Sequence, residues 1–115
     1  MQISVKRAYD PPAAEDGVRV LVDRLWPRGV SKDHAALAEW LRDIAPSDAL
    51  RHWFDHDPAK WAGFQQRYRA ELDANPEAVR ALRALAAKGP VTLIYAAHDE
   101  EHNNAVVLRD YLLDG

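Results

Sequence analysis

Val91-Thr92-Leu93-Ile94-Tyr95, then Ala96-Ala97-His98-Asp99-Glu100-Glu101-His102-Asn103-Asn104, then Ala105 to Leu113: this stretch decides the fold. Its first part is a short β-rich apolar run with no polar alternation, the pattern of a strand covered on both faces. Ala105, Val106, Leu108, Tyr111 and Leu112 return at helical spacing, so the reading is central strand, polar loop, helix, with the helix starting near Glu101. Polar side chains thus gather at the carboxyl end of a strand, where open α/β sheets bind their ligands.

Working outward, the segment before this strand reads as helices. Asn75-Pro76 and Asp57-Pro58 each join a capping residue to a proline at the first helical position. Trp61, Phe64, Tyr68 and Leu72 mark one apolar face, and Val79, Leu82, Leu85 and Ala86 mark another, closed by Gly89-Pro90. Ser47 caps a shorter helix over Asp48 to Asp55, and Ser31 caps a single turn. Leu37, Trp40, Leu41 and Ile44 fit either a helix or a brief strand. Val18 to Asp23 reads as a second strand, and Ile3, Val5 and Ala8 alternate with polar residues as an edge strand stopped by Pro11-Pro12. The long helical crossover lets the second strand and Val91–Tyr95 run parallel. The expectation is one small α/β domain over residues 1–115, a mainly parallel sheet of three to four strands flanked by helices.

Composition narrows the function. A chain of 115 residues, 48% hydrophobic, buries about two-thirds of its unfolded surface in one core. A net charge of −3 speaks against a general nucleic-acid binder, whose affinity rests on a basic excess. With no cysteine, thiolate chemistry, disulfides and Cys-ligated zinc are excluded, and a reducing cytoplasm suits the chain. No run approaches the roughly 20 apolar residues needed to cross a bilayer, and no signal peptide is evident.

Parallel strands would bring Arg24, Trp26 and Arg28, just past the second strand, near Tyr95, Asp99, His102 and Asn103. Arginines suit a phosphate or carboxylate, Trp26 can stack a planar group, and Asn103 or Asn104 can orient it. The plain alternative is an ion-pair network in which Arg24 meets Asp23 or Asp99, with Trp26 a lid over the sheet edge. Asp99 and His102 could serve acid–base catalysis, or Asp99 could cap a helix that His102 begins. His98 with His102, and His52 with His56, have metal-ligand spacing but lack a third ligand, so no metal site is assigned. The expected ligand is a small anionic or nucleotide-like molecule, with its cofactors undefined. A protein-interaction or homo-oligomeric module is the alternative, because four tryptophans can leave aromatic surface exposed.

Arg19–Val30 (RVLVDRLWPRGV), Ala45–Ser47 (APS), His56–Pro58 (HDP) and Thr92–Leu108 (TLIYAAHDEEHNNAVVL) resemble the YeaO-like family, part of domain of unknown function 488. The resemblance covers nearly the whole chain and implies a small α/β domain without a defined activity. It carries Asp99, His102 and Asn103, whereas the family pattern often has lysine at position 98. Larger relatives in that superfamily carry a Cys-His-Arg loop after the corresponding strand; this chain has no cysteine, so thiol chemistry does not carry over.

Overall fold

Every strand of the sheet is parallel to its neighbours. In the computed structural model, which describes residues 1–114, β1 (Ile3–Arg7), β2 (Val18–Leu21), β3 (Glu39–Trp40) and β4 (Val91–Tyr95) lie in the order β1-β4-β2-β3. Val5 and Val20 flank Leu93 in register from either side. The uninterrupted apolar run of β4 is buried along its whole length, as a strand with neighbours on both edges and cover on both faces requires. β1 is an edge strand, and β3 closes the opposite edge.

Side chains alternate across the sheet. Val20, Val22, Leu93 and Tyr95 join the main core with Leu50, Phe54, Phe64, Tyr68, Leu72, Val79, Leu82 and Leu108. These residues come from α2 (Asp48–Phe54), α3 (Trp61–Asp73), α4 (Pro76–Ala87) and α5 (Asn104–Asp114), so the four longer helices share one face. Leu21 and Ile94 point the other way with Ala8, under Trp26, Leu37 and Trp40. Among the described residues, that face carries loops and the single turn α1 (Lys32–Ala35).

Local signals set most boundaries. Ser31 accepts from His34 N–H and Ser47 from Leu50 N–H, so both serines cap as their positions predict. Asp57 caps a 3₁₀ turn, Pro58–Lys60, which leads into α3 at Trp61 rather than beginning that helix itself. The side chain of Asn75 leaves its cap position and donates to the Asp43 carbonyl at 2.8 Å, while Pro76 starts α4. The ambiguous segment resolves into β3 and a 3₁₀ turn, Arg42–Ile44. α5 begins at Asn104, later than expected from Glu101, because Asn103 Oδ1 accepts from Val106 N–H and caps it.

Buried charge also fixes the amino end of the sheet. Arg19, only 4% exposed, donates to Asp16 at 2.6 Å and to the Ala35 carbonyl at 3.0 Å. Asp16 also meets Lys6 at 3.2 Å, and its backbone carbonyl accepts from the Thr92 hydroxyl. Gly17 next to it takes φ 65°, and a Cβ there would run into the Pro90 carbonyl, the acceptor for Val18 N–H.

Candidate functional site

The chain leaves β2 through Val22 and reaches Asp23 at the carboxyl edge of the sheet. The half-buried carboxylate of Asp23 brackets the ends of two strands: Oδ2 accepts from Ala96 N–H at 2.9 Å and Oδ1 from Asn104 Nδ2 at 3.0 Å. Asn104 Nδ2 also donates to the Val22 carbonyl, and Trp40 Nε1 donates to the Asp23 carbonyl at 2.8 Å. Burial pushes the Asp23 carboxyl above its ordinary value, against the two hydrogen bonds and the nearby positive charges of Arg51 and His56.

Two further groups stand around this carboxylate. Arg24 Nε lies 3.8 Å and Arg51 Nη2 3.2 Å from the same oxygen of Asp48, whose side chain is 65% exposed. Arg24 also donates to the carbonyls of Ala45 and Pro46 at 3.3 and 3.4 Å. The Nε of Arg51 is buried and has no hydrogen-bond partner among the described residues. His56 follows α2 on a backbone with two successive left-handed residues, Asp55 at φ 47° and His56 at φ 53°. Asp and His tolerate that region better than most residues, although it stays costlier than for glycine.

The loop after β4 forms a second group. Asp99 Oδ1 accepts from Glu101 and His102 N–H, and Asp99 Oδ2 lies 2.8 Å from His102 Nδ1. These contacts, led by the Glu101 N–H, hold the Asp99 carboxyl below its ordinary value. The His102 ring stands edge-on to Trp61, with centroids 5.1 Å apart. Asn103, 2% exposed, donates to the Asp99 carbonyl at 3.0 Å. Burial raises the Tyr95 phenol, and the charge of Glu100 acts in the same sense. Asp99, His102 and Asn103 are therefore tied together in one loop, while Tyr95, 2% exposed, belongs to the main core. Asp99 caps the turn before α5, not the helix itself.

Arg24, Trp26 and Arg28 make no hydrogen bond or ion pair to that cluster among the described residues. Arg24 pairs with neither Asp23 nor Asp99 but with Asp48. Trp26 packs edge-on against Trp40 at 5.4 Å and donates to the Val30 carbonyl at 2.7 Å, which makes it a lid over the Leu21 and Ile94 face. Arg28 is exposed in a turn, where its carbonyl accepts from the Tyr9 hydroxyl. His98 meets Arg7 at 3.4 Å, and no group of three or more potential metal ligands is gathered among the described residues. Sequence reasoning missed Arg51 and His56 as site residues and treated Asp23 only as a partner for Arg24. The available signal was Asp23 itself, the first charged residue after a run of buried strand.

The family described as the inactive DUF488-N3 subclade matches residues 2–115. The chain belongs to it. Among its relatives, the uncharacterised protein YeaO of Escherichia coli is 45% identical over 112 residues, covering 97% of both chains. The uncharacterised protein Rv3073c of Mycobacterium tuberculosis is 38% identical over 111 residues, 96% of this chain and 93% of its own. The uncharacterised protein Mb3100c of Mycobacterium bovis matches to the same extent. No solved structure matches the chain. Among the described residues of this DUF488-N3 chain, no helix is long and apolar enough to cross a membrane.

Proposed function

We propose that this DUF488-N3 chain binds a small anionic, nucleotide-like molecule at the carboxyl edge of β2 and β4, in the cytoplasm, without chemical turnover. The observation that carries the reading is the pair of guanidinium groups, Arg24 and Arg51, sharing the exposed carboxylate of Asp48. Arginine forks match the oxygens of phosphate and carboxylate, and a mobile surface carboxylate is a weak competitor for them. The family description, inactive, supports binding over catalysis.

Thermal shift with inorganic phosphate and adenosine monophosphate tests the reading. Ligand at a hundredfold excess over its Kd adds about 2.7 kcal/mol, a rise of several degrees for a chain of this size. Arg51→Ala should remove most of that rise relative to its own ligand-free baseline, and Arg24→Ala should weaken it. A rise of equal size in both variants would discard this site.

The 2.8 Å contact between Asp99 and His102 favours a second reading, acid–base chemistry at the His102 Nε2 that this contact leaves free. Under that reading a converted substrate loses turnover with His102→Gln while its binding stays. Turnover unchanged in that variant would end it.

A further inference from the structure

The sheet has two edges, and only one of them is guarded. β3 is two residues long, too short to pair a further strand well, and the Arg42 guanidinium lies 4.0 Å from the centre of the Trp40 ring at its end. β1 offers five residues in unbroken register with β4, without proline or glycine. Val91 N–H donates to the Gln2 carbonyl and Ala8 N–H to the Tyr95 carbonyl, so the ladder between them spends the backbone groups of Ser4 and Lys6 on β4. Those of Ile3, Val5 and Arg7 point out of the sheet. Charged side chains usually shield such an edge, but here they are drawn inward: Lys6 reaches Asp16 at 3.2 Å, and Arg7 donates to the Ala97 carbonyl at 2.9 Å. Apolar surface gathers on the same side. Among the described residues four large hydrophobic side chains are exposed, and three of them, Met1, Tyr9 and Leu113, flank β1 or end α5, the helix packed against β1.

We infer that two copies of the chain pair antiparallel through β1 about a twofold axis at Val5, joining their four-stranded sheets into one. The occupant of the edge is a second copy because the edge is complementary to itself. With Val5 opposite Val5, Ile3 stands opposite Arg7, and these are the residues whose N–H and C=O groups face outward. The Arg7 carbonyl accepts from Asp10 N–H at 3.2 Å and keeps a second lone pair for the pairing. Ser4 stands opposite Lys6, so no cation meets a cation across the axis. A twofold normal to the sheet keeps the helices of both copies on one face and sets the two α5 helices antiparallel, side by side. Tyr111 and Asp114 are turned toward α3 by their bonds with Asp73 and Arg69, which places Val106, Arg109 and Leu113 on the opposite side of α5, toward the edge. The one charge on that side, Arg109, is already answered by Asp110 at 3.1 Å. Pairing of this kind uses the same patch on both copies and closes at two.

Light scattering of the intact chain over a micromolar concentration series should give twice the 13.0 kDa mass of one copy. Ser4→Lys sets a lysine opposite Lys6 of the second copy from an exposed position outside the core, and it should return the mass to that of one copy with circular dichroism unchanged. Hydrogen exchange separates this interface from any other. The Val5 amide, which faces out of a single copy, should exchange at least about tenfold more slowly in the wild type than in Ser4→Lys, whereas the Lys6 amide, bonded to β4, should be slow in both. A single-copy mass at every concentration overturns the inference and leaves the edge to a strand from another protein. A dimer that survives Ser4→Lys with a fast Val5 amide overturns it as well, because the contact then lies elsewhere on the surface.

Discussion

Asp16→Asn should cost this small protein a large part of its stability, and the loss should vanish in acid. In the folded chain the Asp16 carboxylate answers Arg19 at 2.6 Å, Lys6 at 3.2 Å and Ala13 N–H at 3.0 Å. The side chains of Arg19 and Asp16 are 5% and 8% exposed. Asparagine keeps the size and one acceptor but leaves a buried guanidinium without its counter-charge, and breaking one partner of a buried pair costs roughly 3–5 kcal/mol. Taking the lower end for the conservative change, about 3 kcal/mol corresponds to a fall of about 10 °C in Tm for a chain of this length. Burial pushes the Asp16 carboxyl up, but the hydrogen bonds from Ala13, Lys6 and Arg19 and the charge of Lys6 outweigh it, so it titrates below its ordinary 3.8. A depressed folded value means that the contribution is complete above 3.8 and is lost as pH falls through the folded value. Urea unfolding of both proteins should therefore show a constant gap from pH 7 to about pH 5, closing below about pH 4. Asp114→Asn, which breaks the exposed 3.0 Å pair with Arg69, serves as control and should cost under about 1 kcal/mol. A cost for Asp16→Asn no larger than that control, or a gap that persists in acid, refutes the reasoning.

Gly17→Ala should destabilise by about 2 kcal/mol or more, since the residue holds φ 65° and the new Cβ would run into the Pro90 carbonyl; a Tm within a degree of wild type would show that this turn relaxes freely. Tyr68→Phe removes the hydroxyl that donates to the Ile44 carbonyl at 2.6 Å inside the core, and the orphaned carbonyl should cost about 1–2 kcal/mol in chemical denaturation. An unchanged midpoint would mean that another donor reaches Ile44.

The strands and long helices were legible because their signals are local. The unbroken apolar run of Val91–Tyr95 demanded a strand with neighbours on both sides, and the four-residue steps through Phe64, Tyr68 and Leu72 demanded a helix with one buried face. Ser31 and Ser47 cap where their hydroxyls reach the backbone N–H three residues ahead, a contact that sequence spacing defines. Glu101 failed as a helix start because Asp99 spends its carboxylate on the turn before it, and Asn103 then takes the cap. Arg24 was misread for a different reason. Its side chain crosses to the Ala45–Ser47 loop, whose position is set by Tyr68 and Glu71 on α3, and no spacing along the chain encodes that meeting. Arg51 and His56 were invisible as neighbours of Asp23 because a helix and a left-handed turn bring them back to the sheet from far along the chain.

Two arrangements of an aspartate with arginines stand at opposite ends of β2, and their difference separates scaffold from site. At the amino end, Asp16 takes donors from Ala13, Lys6 and Arg19 and lies almost wholly out of solvent. A ligand has neither an approach nor an unused acceptor there. At the carboxyl end, Asp23 is half-buried with one donor on each oxygen, Arg51 is 40% exposed yet keeps a buried Nε without a partner, and Asp48 bridges two guanidinium groups from the surface. The difference is one of access: the parallel topology turns the loops after β2 and β4 toward the same edge, and that edge is the one with guanidinium groups at the surface. Substitutions of Arg24, Arg51 and Asp48 at the carboxyl end should therefore alter ligand response with little loss of stability, and those at the amino end should alter stability without touching ligand response.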